Sequence, residues 1–212
     1  MREINYSQPD QYRFSQTTLL AAKLASKILN TNQHKKKLKI LDLFAGSGFF
    51  SLEAILQSYL KINIDLTLIE LQETFKEHLE NNISAAKEIY PELNITMHLT
   101  NVEAVSDLIK DPSWDYILLN PPHFFKHEVI NPADPVRARC HTIETNDWLA
   151  VLENMGSALG PTTSILLHLN QTTVLYSSTL NYFKKILGSS ANELIGSEPL
   201  LKNEVLLTLR RT

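Results

Sequence analysis

The residues with the most specific chemical potential are Asn120-Pro121-Pro122-His123-Phe124, which follow the apolar run Trp114 to Leu119. Two successive prolines remove backbone donors and fix φ, which holds the carbonyls of Asn120 and Pro121 in one direction. The side-chain oxygen of Asn120 and a proline carbonyl then form a pair of neutral acceptors. Such a pair suits an exocyclic amine, which brings two N–H donors. Holding both hydrogens draws the nitrogen lone pair out of conjugation and aims it at an electrophile. His123 and Phe124 add flat faces on which a flipped base can stack. The plainer reading is a proline-rich turn after a strand.

Two further points agree with a ligand site. Ile40-Leu41-Asp42-Leu43 runs into Phe44-Ala45-Gly46-Ser47-Gly48 and on into the apolar-periodic stretch Phe49 to Gln57. Glycine lets the chain turn sharply and approach a ligand without a Cβ clash. Strand, glycine turn and helix form the entry unit of dinucleotide folds. The Lys and Ser/Thr of a P-loop are missing after the glycines, which argues against a triphosphate cradle. Glu70 ends the next apolar run, about 20 residues past the glycines, where nucleotide folds place a ribose-binding acid. Its competing reading is a charge at a helix N-terminus.

Other candidates are less specific. Asn101-Val102 can read an adenine edge and cover its face, or Asn101 can cap a helix. Arg137 and Arg139 can hold phosphates or be surface charge. His123, His127, Cys140 and His141 match no zinc spacing well, so no metal is expected.

The elements that must position these residues alternate β and α. Residues 1–34 read as a polar N-terminal arm followed by a helix capped by Ser15 or Thr17 and running to Asn30. From residue 38 to 212 the pattern predicts strands over 40–43, 64–69, 95–99, 114–119 and 163–169, with helices over 49–57, 73–90, 102–110, 144–159 and 173–187. Two last strands, 192–198 and 204–210, lie close in sequence and should pair antiparallel. The expected fold is α/β: one Rossmann-like domain, 1–212, with a seven-stranded, mostly parallel sheet and an antiparallel last strand. Residues 127–139, containing Pro132 and Pro135, read as a loop over the site. Lys35-Lys36-Lys37 reads as a solvated loop ahead of an RNA contact, although with Arg13, Arg137 and Arg139 it could build a basic face.

The chain has 212 residues and a net charge of −3, which argues against a strongly basic nucleic-acid coat. Its single cysteine cannot form an internal disulfide, and a reducing cytoplasm fits best. No apolar run is long enough to span a membrane, and Met1 to Asp10 lacks the apolar segment of a signal peptide.

Ile40-Leu-Asp-Leu-Phe-Ala-Gly-Ser-Gly48, Glu70 and Asn120-Pro-Pro-His123 together resemble class I S-adenosylmethionine-dependent methyltransferases. The Asn-Pro-Pro element is similar to their amino-methylating branch, which acts on adenine, guanine or protein glutamine amides. Tyr12-Arg13-Phe14-Ser15 with Leu19-Leu20-Ala21, and the stretch from Arg137 to Trp148, resemble bacterial tRNA adenine-N6 methyltransferases. That family usually has Tyr or Phe at the His123 position, Asp near Thr17, and often Asp at Asn101. The stretch around Leu52-Glu53-Ala54 also looks like ribosomal-RNA guanine-N2 methyltransferases, which carry Asp at the Asn120 position.

The resemblance implies S-adenosylmethionine as cofactor and RNA as partner, tRNA ahead of ribosomal RNA. Asp42, Gly46 and Gly48 would shape the methionine end of the pocket, with Phe44, Ala45 and Ser47 in the same turn. Glu70, beside Leu71, would hold the ribose, and Asn101 with Val102 the adenine. Asn120 would touch the cofactor and, with Pro121, orient the amine, while Pro122 and His123 complete the catalytic motif. Phe124, Arg13, Arg137 and Arg139 are the substrate-binding candidates. A glutamine amide as acceptor, or a scaffold without catalysis, would fit the same fold.

Overall fold

In the computed structural model the described residues are 4–100, 104, 106–111, 113–130, 132–158, 162–187 and 195–210. Asn101 and Val102 lie outside them.

Strands β1 (Lys37–Asp42), β2 (Asn63–Glu70), β3 (Leu93–Leu99), β4 (Tyr116–Leu119), β7 (Ser164–Asn170), β8 (Ile195–Pro199) and β9 (Glu204–Arg210) form one sheet in the order β3-β2-β1-β4-β7-β9-β8. β1 pairs parallel with both β2 and β4, β2 with β3, and β4 with β7. β9 runs antiparallel between β7 and β8. The strand order reverses between β1 and β4, the switch point at which open α/β sheets leave a crevice beyond the strands' carboxyl ends. The final pair turns through Lys202 and Asn203, both at positive φ, as tight hairpins require.

The middle stretches of the central strands, Ile40-Leu41, Ile117-Leu118-Leu119 and Ile165-Leu166-Leu167, are apolar because both faces are covered. Their residues alternate between two cores. Leu38, Ile40, Leu118, Leu166 and Leu206 face one side, with Ala21, Ala22 and Ala25 of α1 (Gln16–Leu29) and residues of α2 (Phe49–Gln57) and α3 (Lys76–Ile89). Leu41, Leu119, Leu167 and Leu207 face the other, with α4 (Ser106–Ile109), α6 (Thr145–Ala158) and α7 (Val174–Leu187). Ser15 caps α1, its hydroxyl accepting from the Thr18 amide at 3.1 Å.

The 127–139 segment differs from expectation. Residues Pro135–His141 form a helix, α5. Asp134 caps it by accepting from the Arg137 amide at 2.9 Å, and Pro135 stands in its first turn. An Asp-Pro pair starts a helix well, and seven residues are too few to show an apolar period. A two-stranded parallel ladder, β5 (Phe124–Phe125) with β6 (Thr142–Ile143), ties the end of the proline motif to the start of α6.

Candidate active site

A cavity of about 650 Å³ opens at the carboxyl ends of β1, β2 and β4, within the common range for small-molecule sites. The glycine turn forms one wall. Gly46 and Gly48 both take positive φ, +53° and +78°. A Cβ on Gly48 would stand 2.8 Å from the Leu79 methyl, so this residue packs the turn against α3. A Cβ on Gly46 would meet only the Phe75 ring, at 3.7 Å. Gly46 is therefore the open glycine, and it lines the cavity with Phe44, Ala45 and Ser47.

Glu70, at the end of β2, braces this turn. Its carboxylate accepts the Gly46 amide at 2.7 Å and the Gln72 amide at 2.7 Å. Burial pushes its pKa up, and these amides with that of Leu71 oppose the shift. Each oxygen keeps acceptor capacity for a ligand hydroxyl. Leu71 lies beside it on the cavity wall. Asp42, beneath the turn, is fully buried, and neither carboxyl oxygen has a hydrogen-bond partner. Burial pushes its pKa up to about 7 and Glu70 adds to the rise; the Ser51 side chain and Phe44 amide lie near enough to pull it back in part, though neither meets hydrogen-bond geometry. A buried carboxyl left without partners is a place that favours positive charge nearby.

Asn120 and Pro122 lie on the opposite wall, and Pro121 is buried between them. His123 does not line the cavity. Its ring turns inward, 5.2 Å from His168 and edge-on, and its buried Nδ1 has no partner. Burial pushes its pKa down, and so do His168 and His141; Glu204 opposes them. Phe124 sits in β5, outside the lining. The stacking faces expected from His123 and Phe124 are therefore turned away from this cavity. Aromatic walls come instead from Tyr12, Phe14 and Phe44.

Tyr12 and Phe14 belong to the N-terminal arm, which sequence reasoning placed without a role for either ring. Phe14 stacks on Phe49 at 3.5 Å between ring centres. Asn82 pins the arm: its Oδ1 accepts the Ser7 amide at 2.7 Å, and its Nδ2 donates to the carbonyls of Ser7 (2.8 Å) and Ser47 (2.7 Å). The arm and the glycine turn thus share one clasp. The Tyr12 hydroxyl faces the Asn120 amide, and burial pushes its pKa up to about 12. Cys140 also lines the cavity, with its thiol pushed up to about 11 by burial, so it stays protonated.

The basic candidates separate. Arg139 reaches the cavity rim from α5, whereas Arg137 is exposed on the same helix. Arg13 is exposed and pairs loosely with Asp10 at 3.9 Å. Lys126 and Glu144, also at the rim, form an ion pair at 2.7 Å.

His168 and Glu204 were missed altogether. His168 Nδ1 lies 2.8 Å from Asn120 Oδ1, and its Nε2 lies 2.7 Å from Glu204 Oε2. The available signal was a histidine inside the apolar run Ser164 to Leu169. His123, His168 and Glu204 offer potential metal-ligand atoms within 4.8 Å of one another. Tetrahedral zinc requires ligand atoms about 3.3 Å apart, and the histidine–glutamate pair already satisfies itself.

The family model described as Conserved hypothetical protein 95 matches residues 21–168. The chain belongs to that family. It is 29% identical over 157 residues to a tRNA1(Val) (adenine(37)-N6)-methyltransferase from Shewanella sediminis, covering 73% of this chain and 58% of that protein. The chain thus spans less than two thirds of the length of this curated relative. Among solved structures it is similar to precorrin-6y C5,15-methyltransferase from Geobacter metallireducens, with a TM-score of 0.59, 12% identity, and 98% and 94% of the two chains covered. A SAM-dependent methyltransferase from Agrobacterium tumefaciens gives 0.61 at 13% identity, over 94% of this chain and 63% of that one. The ribosomal protein L11 methylase of Lactobacillus delbrueckii gives 0.56 at 14%, over 94% and 81%. The fold of this family member is that of class I methyltransferases, as its motifs led one to expect.

Proposed function

We propose that this protein is an S-adenosylmethionine-dependent N-methyltransferase acting on the exocyclic amine of an RNA base, adenine N6 in tRNA. The observation that carries this reading is the position of Asn120, across one cavity from the Gly46–Glu70 brace. The tRNA methyltransferase relative supports the choice of acceptor.

The residues present fit the cofactor. Gly46 lets the backbone approach it, Glu70 keeps acceptor capacity for a ribose, and Asp42 places a buried carboxyl beneath the turn. When bound, the cofactor supplies a methyl group on a cationic sulfonium. The protein's own part is alignment. Asn120 Oδ1 and the Pro121 carbonyl accept the two amine hydrogens and point the lone pair at the methyl carbon. Transfer would form the N–C bond as the sulfonium's S–C bond is given up, and the nitrogen would then lose a proton to water. No strong base is needed, which agrees with Cys140 and Tyr12 both holding their protons. Proximity and orientation can supply most of the rate effect.

The test is incubation with labelled S-adenosylmethionine and size-fractionated RNA, followed by digestion to nucleosides. Labelled N6-methyladenosine from the tRNA fraction is expected. Label in methylguanosine would move the target to guanine N2, and nuclease-resistant, protease-sensitive label would move it to a protein amide. Asn120→Ala should abolish transfer and leave cofactor affinity within a few-fold. Retained activity in that variant would remove Asn120 from the reaction.

A further inference from the structure

His168 lies outside the cavity lining, yet the sheet places it directly behind Asn120. β4 and β7 pair in the register Leu118↔Leu166 and Leu119↔Leu167, so the next step along sets Asn120 beside His168. Both lie on the face that carries Leu118 and Leu166. On β9, His168 is opposite Leu206, and Glu204, two residues earlier, returns to that same face. Three neighbouring strands thus align an amide, an imidazole and a carboxylate, with contacts of 2.8 and 2.7 Å. The ring is fully buried. Phe50 of α2 covers it at 6.5 Å, and His123 meets it edge-on at 5.2 Å. Glu204 is further bonded by Thr17 of α1.

The chemistry of this line fixes the amide. Burial pushes the Glu204 carboxyl up, but the bonds from His168 and Thr17 outweigh it and hold the group below its ordinary value. An ionised carboxylate only accepts, so His168 Nε2 carries a proton. In the neutral ring Nδ1 is then a bare lone pair, which only a donor can meet. The one donor on the Asn120 side chain is its amide nitrogen. Amide oxygen and nitrogen have the same outline, so their placement follows from this network. With the ring neutral, the 2.8 Å contact between His168 Nδ1 and Asn120 Oδ1 is satisfied only when the amide is turned, so that the nitrogen lies against His168 and the oxygen on the far side, toward Tyr12 and the cavity. A second proton on the ring would make Nδ1 a donor and turn the amide round.

We infer that His168, held by Glu204, is a positioning residue that keeps the Asn120 oxygen facing the cavity to receive the target amine. This rests on the amine-methylating reading above. In that reading the oxygen is one of two acceptors that align the nucleophile, so turning it away sets an N–H₂ group against an N–H₂ group. The loss falls on the methyl-transfer step and not on cofactor binding.

The first measurement is nitrogen-15 NMR of the ligand-free wild type at neutral pH. The expected ring has Nε2 protonated and Nδ1 unprotonated, with a coupling across the hydrogen bond to the Asn120 side-chain nitrogen. The second is kinetics of two variants. His168→Leu should lower kcat about ten- to hundred-fold, with KM for RNA and the cofactor Kd within about threefold. His168→Asn keeps an acceptor near the Nδ1 position and should recover most of that loss. A ring protonated at Nδ1 at neutral pH would overturn the inference, as would equal losses in the two variants. Stoichiometric zinc uptake that disappears in His123→Ala would also overturn it, because the cluster would then be a metal site. If the wild type labels no RNA, the functional reading fails, and the NMR result alone decides how Asn120 is held.

Discussion

Asp42 and Glu70 stand beside the same turn under different conditions. Glu70 accepts two backbone amides, whereas Asp42 is buried with neither oxygen satisfied. Desolvation raises the Asp42 pKa from an ordinary 3.8 to about 7. Between those values the folded protein binds more protons than the unfolded chain, so its stability falls as pH rises. The loss is complete above about pH 7 and is on the order of a few kcal/mol at most. Glu70, also raised, adds in the same direction. Thermal unfolding of the ligand-free protein should therefore give a lower Tm at pH 8 than at pH 5, and Asp42→Asn should remove most of that slope. If the variant keeps the full slope, the titrating group lies elsewhere. A cationic ligand above the turn reverses the balance by favouring the ionised carboxyl. Its affinity should rise with pH across the same window in the wild type and stay flat in Asp42→Asn, as read by calorimetry.

The two glycines of the β1–α2 element separate folding from binding. Gly48→Ala forces a side chain onto a φ of +78° and sets its Cβ 2.8 Å from Leu79. That should cost about 1–3 kcal/mol of stability, measured by urea unfolding. Gly46→Ala meets nothing closer than 3.7 Å, so its folding cost should be the smaller of the two. Its Cβ would stand beside the cavity, and cofactor affinity should fall more than in Gly48→Ala. The reverse ranking would show that Gly46 is only a turn residue. This element was legible in the sequence, and the helix runs over Phe49–Gln57 as the apolar period indicates. Such agreement comes where strand, turn chemistry and helix period all act locally. Helix α5 was hidden because its signal is a two-residue start, Asp134-Pro135, inside a segment too short for periodicity. The inward turn of His123 was hidden for a different reason. It depends on His168, a partner 45 positions away that only the sheet register brings near. The same is true of Glu204, whose place opposite β7 comes from the antiparallel insertion of β9.

At the scale of the molecule, charge is divided along the strands. Lys35, Lys36 and Lys37 stand at the start of β1, while the cavity opens past its end, roughly 20 Å away. Lys35 pairs with Asp115 at 2.5 Å and Lys37 with Asp65 at 2.6 Å. The basic face imagined from the lysine run together with Arg137 and Arg139 therefore does not gather at the cavity. On the proposed reading, Arg139 at the rim and Arg137 on the same short helix would be the cations to meet phosphates of an RNA whose base enters there. Each phosphate neutralised releases counterions, so the slope of log affinity against log salt counts such contacts at about 0.7–0.9 apiece. Arg137→Ala and Arg139→Ala should each weaken tRNA binding and flatten that slope by about one such step. Replacing Lys35 and Lys37 together by Ala should leave the slope unchanged, because both are paired at the far end of the strand. The opposite pattern would mean that RNA docks on the strand starts. A base held there could not reach Asn120, and the assignment of an RNA amine as the acceptor would fall with it.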